Sequence, residues 1–380
     1  MQGRDNAGFI GRRWSRRVVI TITLMVLAVA VLGAMAQGEQ QGARVVTDMR
    51  NRSVAIPHEV KRIIALDAGS LRLVSYLDAT DLVIAVEDDG HGREKSQYEF
   101  FNLATYRIAH PELRDLPSIG SAANHEGIIA SEADLIISSS VDVAKLDQLQ
   151  QILGIPVFAV DVDVELYDRE RFYAQNEILG VVLNREERAK ELNEGIKAVL
   201  SDLESRRAQV REPKRAYAGG MMFYGPADLL RTTGDFLPFD LVGAVNVMES
   251  NPTGNRQPYM TSLEDLIAAE PDYIFLDAAN ITLSQAGYTG NKATLDALVP
   301  AFSNQEVYST FVYKYYGTNW EHQLVNVYAV GSTLYPELYS DFTIREKAEE
   351  IWALFFTVPL SFDAVCEAQH VVPNRVDWFN

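Results

Sequence analysis

The chain contains one cysteine, Cys366, in 380 residues. A lone thiol forms no internal disulfide, so stability must come from a buried core. Histidine is also scarce. The six (His58, His91, His110, His125, His322 and His370) show no metal-ligand spacing such as H-x-x-x-H, which argues against a dedicated zinc or manganese site. Basic charge is short too, with 34 Lys+Arg against 52 Asp+Glu and a net charge of −18. Such a balance argues against nucleic acid as a partner, because phosphate contacts need a basic surface. G-x-G-x-x-G after a strand, G-x-x-x-x-G-K-[ST] and G-x-S-x-G are all missing. Gly219-Gly220 lacks the third glycine, and Cys366 has no convincing basic partner in the sequence. No catalytic residue and no cofactor is therefore assigned, and an exported α/β enzyme remains the weaker alternative.

The N-terminus carries a positive pattern. Residues 1–36 hold five arginines (Arg4, Arg12, Arg13, Arg16, Arg17) and one acid, Asp5. An apolar run from Val18 to Leu32 follows, and Ala34-Met35-Ala36 supplies an A-x-A cleavage pattern. This is the form of a secretory signal peptide, with an uncleaved membrane anchor as the alternative. Ser15-Arg16-Arg17 also bears a faint likeness to a twin-arginine signal, which leaves the export route open. Cleavage would leave 344 residues with a net charge of −22, enough chain for two domains in the periplasm. No cysteine lies near the cleavage site to take a lipid.

After the leader, strands alternate with helices. Ile63-Ile64-Ala65-Leu66 is a short apolar run ending in the turn Asp67-Ala68-Gly69-Ser70, and Leu71 to Leu77 has helical spacing. Leu82 to Val86, Leu135-Ile136-Ile137 and Ile155 to Val160 read as further strands, with Gly154 as a helix C-cap. Such alternation implies βαβ units and a largely parallel sheet. From about Arg169 to Val210 the strand rhythm stops and apolar residues recur at helical spacing, with Gly180 and Asn184 suggesting an interruption. The α/β alternation resumes at Arg215. The expected fold is therefore two α/β lobes (45–165 and 213–360) bridged by helix over 166–212, with a C-terminal tail at 361–380. The lobes share an echo: Asn124-His125-Glu126 through Leu135-Ile136 in the first, and Ser262-Leu263-Glu264 through Tyr273-Ile274 in the second.

At these residues the chain resembles the iron-complex and cobalamin family of periplasmic binding proteins, which serve ATP-driven importers. The likeness runs from Ile56-Pro57-His58-Glu59-Val60-Lys61-Arg62-Ile63 through Leu116-Pro117-Ser118-Ile119-Gly120 to Tyr315-Tyr316-Gly317-Thr318-Asn319 and Tyr335-Pro336. It implies two lobes held by a long rigid helix, in the manner of the metal and chelate receptors. It also implies that one glutamate per lobe docks onto arginines of the two permease subunits, and Glu126 and Glu264 fall at the matching positions. A monomer is expected, with the permease and a small molecule as its partners.

In an open α/β sheet, ligands bind beyond the carboxyl ends of the strands. That selects Asp67, Gly69, Ser70 and Arg72 after the first strand, Glu87 after the second, and Tyr106 in the long loop His91 to Leu116. In the second lobe it selects Tyr224, Arg231, Thr232 and Tyr316. Arg72 has an equally good structural reading, tying its helix to neighbours. Tyrosines with arginines and glycine-rich backbone suit a chelate with an apolar body and anionic edges, so the expected ligand is an iron or cobalt complex: siderophore, haem or corrinoid. A metal oxyanion or bare metal ion is the alternative. An oxyanion would rely on Gly69, Ser70 and Thr232 and would dispense with the tyrosines.

Overall fold

The computed structural model describes residues 43–87, 104–223, 225–251, 253–254, 256–315 and 317–379. The expected signal peptide lies outside them. The described chain opens with an antiparallel hairpin, β1 (Ala43–Thr47) and β2 (Ser53–Pro57). Then come β3 (Ile63–Leu66), α1 (Ser70–Tyr76), β4 (Val83–Val86), α2 (Thr105–Ala109), α3 (His125–Ala130), β5 (Leu135–Ser138), α4 (Val143–Leu153) and β6 (Val157–Ala159). The four strands β4-β3-β5-β6 form one parallel sheet. Strands β3, β5 and β6 are buried at every position, as expected of a sheet covered on both faces. Helix α4 starts where Asp142 accepts the Lys145 N–H at 3.1 Å, buries Leu146, Leu149 and Leu153, and stops at Gly154, whose φ of 65° suits glycine.

The bridge is a helical hairpin. Helix α5 (Arg169–Leu183) ends at Asn184 in the left-handed conformation, and α6 (Glu186–Arg207) follows at once. Asn176 donates to Asn193 Oδ1 at 2.9 Å, and Asn193 donates to the Tyr173 carbonyl at 3.0 Å. Gly180 lets the helices close up near the turn: a Cβ there would lie 2.7 Å from that of Ala189. At 1.5 Å per residue, α6 is about 33 Å long.

The second lobe has β7 (Arg215–Gly219), β8 (Arg231–Thr232), α7 (Leu237–Val242), β9 (Val245–Asn246), β10 (Tyr259–Met260), α8 (Leu263–Ala269) and β11 (Tyr273–Asp277). It continues with α9 (Ile281–Gly290), α10 (Lys292–Leu298), α11 (Pro300–Ser303), β12 (Val307–Thr310) and α12 (Trp320–Leu334). Its parallel sheet runs β12-β11-β7-β9. Read from β9, this repeats the order of the first sheet: β7 takes the place of β3, β11 of β5 and β12 of β6. The sheets are separate, so the molecule has two α/β lobes.

The C-terminal segment joins both lobes. In α13 (Ile344–Phe356), Phe355 and Phe356 pack on Tyr76 of α1, with ring centroids 4.8 and 5.7 Å away. Arg188 of α6 donates to the Leu354 and Phe355 carbonyls. Residues 361–379, set apart in the sequence as a tail, are folded. Helix α14 (Phe362–Gln369) buries Phe362, Val365 and Cys366. The chain then returns along β12, where Ser309 N–H donates to the Asn374 carbonyl and Val376 N–H to the Val307 carbonyl, each at 2.9 Å.

Candidate functional site

Among the described residues, a cavity lies at the carboxyl end of each sheet. On the first lobe, a cavity of about 70 Å³ is lined by Asp67, Gly69, Leu71, Glu87, Tyr106 and Arg107, among others. The turn after β3 is fixed from several sides. Asp67 has a φ of 65°, its N–H donates to Glu87 Oε2 at 2.7 Å, and its carboxylate accepts the Ser138 hydroxyl. Ser139 Oγ reaches the Ala68 carbonyl at 2.9 Å. Glu87 also accepts the Ala122 N–H at 3.0 Å, so its carboxylate ties the turn to the approach to α3. Gly69, with a φ of 84°, opens α1. The buried Ser70 hydroxyl has no hydrogen-bond partner among the described residues. Tyr106 accepts from Arg107 Nε at 3.0 Å, and the Arg72 and Arg107 guanidinium carbons each lie 5.7 Å from its ring centroid.

The structure thus brings Asp67, Gly69, Glu87 and Tyr106 together at one cavity. Arg72 stands behind them. It is 1% exposed and donates to the Tyr315 carbonyl in the second lobe, so it ties α1 to the loop after β12. That loop forms the seam between the lobes. Thr318 N–H donates to the Val162 carbonyl at 2.8 Å, and Trp320 Nε1 to the Val164 carbonyl at 2.8 Å. Gly317 has a φ of 89°, and a Cβ there would sit 2.6 Å from the Val162 oxygen. Next to the seam, Tyr76 bonds the Glu321 carboxylate, and Thr105 Oγ1 lies 2.8 Å from His322 Nε2. Burial lowers the His322 pKa from 6.5 to about 4, keeping the ring neutral.

At the carboxyl end of the second sheet a smaller cavity of about 20 Å³ is lined by Asp235, Arg256, Tyr313 and Lys314, with Met222 and Thr233, together with Glu165 and Tyr167, which follow β6 of the first lobe. Lys314 pairs with Glu165. Arg256 lies 4.4 Å from the Tyr167 ring centroid, and Tyr167 donates to Asp240 at 2.8 Å. The sequence reading did not select these residues. Tyr313 and Lys314 adjoin the quoted Tyr315–Asn319 run and follow a strand, which was an available signal. Arg256 and Asp235 had none, because only long-range folding brings them to the strand ends. Arg231 and Thr232, which were selected, bond to the protein itself. Arg231 donates to the Phe223 and Gly225 carbonyls at 2.6 and 2.7 Å, and Thr232 to the Ala218 carbonyl at 2.7 Å. Tyr224 and Tyr316 lie outside the described residues.

Among the described residues, no group of three or more His, Cys, Asp or Glu is placed to hold a metal ion. Cys366 is buried, and burial pushes its thiol up to about 11, which leaves it protonated and a poor nucleophile.

Glu126 and Glu264 are exposed and stand at the second position of α3 and α8. Asn124 caps α3 and Ser262 caps α8, the latter through a reciprocal capping box with Asp265. Each helix is followed by a glutamate of positive φ, Glu132 at 54° and Glu270 at 44°. Each exit is braced by an arginine at the foot of the neighbouring strand. Arg62 donates to the Ser131 carbonyl, and Arg215 to the Ala269 carbonyl, both at 2.7 Å.

Two separate parallel sheets, each with a cavity at its carboxyl edge and joined by long helices, give the chain the fold seen in solved periplasmic solute-binding proteins, among them the TroA-like binding protein FepB of Veillonella parvula, matched with a TM-score of 0.59 and 19% identity over 83% of this chain and 97% of that one. In sequence it is 23% identical over 345 residues to the molybdate-binding protein MolA of Haemophilus influenzae, covering 82% of this chain and 91% of MolA. In structure it matches a periplasmic solute-binding protein of Veillonella parvula with a TM-score of 0.68 and 15% identity, covering 89% of this chain and all of that one. It also matches molybdate-bound MolA with a TM-score of 0.64 and 19% identity, covering 84% and 99% of the two chains. No protein-family model matches the chain.

Proposed function

We propose that this chain works outside the cytoplasm, takes up a small ligand between its lobes, and presents it to the permease of an ATP-driven importer. The observation that carries the reading is the pairing of Glu126 and Glu264, exposed at equivalent positions of equivalent helices on the two lobes. Two carboxylates on separate lobes fix orientation by charge pairing and speed encounter with a basic partner surface. In a cell or vesicle uptake assay, reversing both charges is expected to abolish import. Normal import by the double variant would refute the docking roles.

For the ligand, we favour a small oxyanion of the molybdate kind over the iron or cobalt complex expected from the sequence. Both arginines once assigned to a chelate's anionic edge are bonded to backbone carbonyls. The carboxylates of Asp67 and Glu87 accept protein donors. The relative MolA is a molybdate binder. Calorimetry against molybdate, tungstate, haem, cobalamin and ferric siderophores separates the readings. Molybdate or tungstate binding that survives Tyr106→Ala supports the oxyanion; binding of an iron complex alone restores the chelate.

A further inference from the structure

Asp277, the last residue of β11, is 1% exposed and was not selected from the sequence. Three chain segments converge on its carboxylate. Ala279 N–H, in the turn that follows β11, donates to Oδ1 at 3.0 Å. Met222 N–H, in the loop after β7, donates to Oδ2 at 3.3 Å, and the Tyr313 backbone, after β12, bonds the same carboxylate. β7, β11 and β12 are neighbours in one parallel sheet, so these are the exits of three adjacent strands. Met222 and Tyr313 line the second-lobe cavity. Asn280 extends the tie by donating to the Gly220 carbonyl at 2.8 Å and accepting the Ala227 N–H at 3.2 Å.

We infer that Asp277 is the positioning residue of the second lobe's ligand wall, holding the loops that bear Met222, Ala279 and Tyr313 in register and making their firmness depend on one proton. The inference rests on the reading of this cavity as half of the ligand cleft. A carboxylate taking three N–H donors fixes three loops with one side chain. Burial opposes the charge, however, and pushes the group up to about 7, with the N–H donors pulling the other way. The titratable groups on the surrounding elements are engaged elsewhere. Tyr217 donates to the Leu229 carbonyl, and Arg231 donates to Phe223 and Gly225. Tyr288 of α9 bonds Asp296, Tyr308 bonds Glu306, and Lys314 pairs with Glu165. Tyr313 shares its hydroxyl with the Leu237 N–H at 3.4 Å.

A closed wall holds the proton more tightly than an opened, hydrated one, so raising the pH toward 7 favours opening. Hydrogen exchange read by mass spectrometry tests this without any ligand. After correction for intrinsic exchange chemistry, protection of peptides carrying Met222, Ala279 and Tyr313 is expected to fall between pH 5 and 7, by at most about tenfold per unit. In Asp277→Asn that slope should vanish, while a peptide over β5 behaves alike in both proteins. An unchanged slope in the variant, or none in the wild type, overturns the inference. If the variant does not fold, carbon-detected titration of the wild-type carboxyl decides: an ordinary value near 4 overturns it, and one near 7 supports it. Failure of transport or of molybdate binding would leave this result untouched.

Discussion

Glu126 and Glu264 each stand nine residues ahead of the first residue of an equivalent strand, β5 and β11, in sheets of the same strand order. The repeat extends to the packing. Ile128 and Leu266, two residues further along each helix, are both fully buried, so each helix is pinned with its glutamate facing out. Lobe geometry therefore fixes the separation of the two charges.

The double variant Glu126→Lys, Glu264→Lys should lose import completely while ligand affinity stays within about twofold. Its folding cost should be small, since an adverse charge in the first turn of a helix costs about 0.3–1 kcal/mol. Calorimetry on the purified variant beside uptake in cells checks both halves. Loss of ligand affinity in step with uptake would show that the helices act on the cleft instead.

Arg72→Ala should act on stability before it acts on recognition. The guanidinium is buried and bonded across the seam, and charged hydrogen bonds of this kind contribute about 1.5–3 kcal/mol. Denaturant titration should register a loss of that order. Unchanged stability with ligand binding abolished would return Arg72 to the ligand.

Gly317→Ala tests the seam itself. The left-handed φ and the close Val162 oxygen both oppose a side chain, and strain of this sort costs about 1–3 kcal/mol. A lowered melting temperature is expected, together with more frequent separation of the lobes in small-angle scattering. A variant indistinguishable from wild type in both would contradict the close approach.

His322 makes stability depend on acid. Its folded value of about 4 lies below the ordinary 6.5, so the unfolded chain binds the extra proton between those limits. Its contribution is complete above pH 6.5 and is lost as the pH falls to 4, amounting to roughly 3 kcal/mol. Unfolding free energies of the wild type and His322→Gln across that window should converge toward the acid end. Parallel curves would mean that His322 is not held neutral.

Much of the fold was legible because its signals are local. The apolar runs at Ile63–Leu66 and Leu135–Ile137, the turn at Asp67–Ser70 and the cap at Gly154 each depend on adjacent residues. The echo around Glu126 and Glu264 was legible for the same reason, since capping residue, helix and strand lie within one short stretch. What escaped was long-range. Nothing near Arg72 or Arg231 discloses that a distant or looping carbonyl takes up the guanidinium. The route of residues 361–379 across both lobes depends on tertiary pairing with β12 and packing of α14 beside α2, which no local pattern encodes. Arg256 and Asp235 reach the second cavity in the same way.

Native mass spectrometry of the protein recovered from its own host, with metal analysis of the same sample, tests the central claim most directly. The account predicts one small oxyanion per chain, with molybdenum or tungsten present and the ligand released unchanged on denaturation. A chain carrying an iron or cobalt chelate would contradict the ligand assignment, and one that converts its ligand during incubation would contradict the binding role itself.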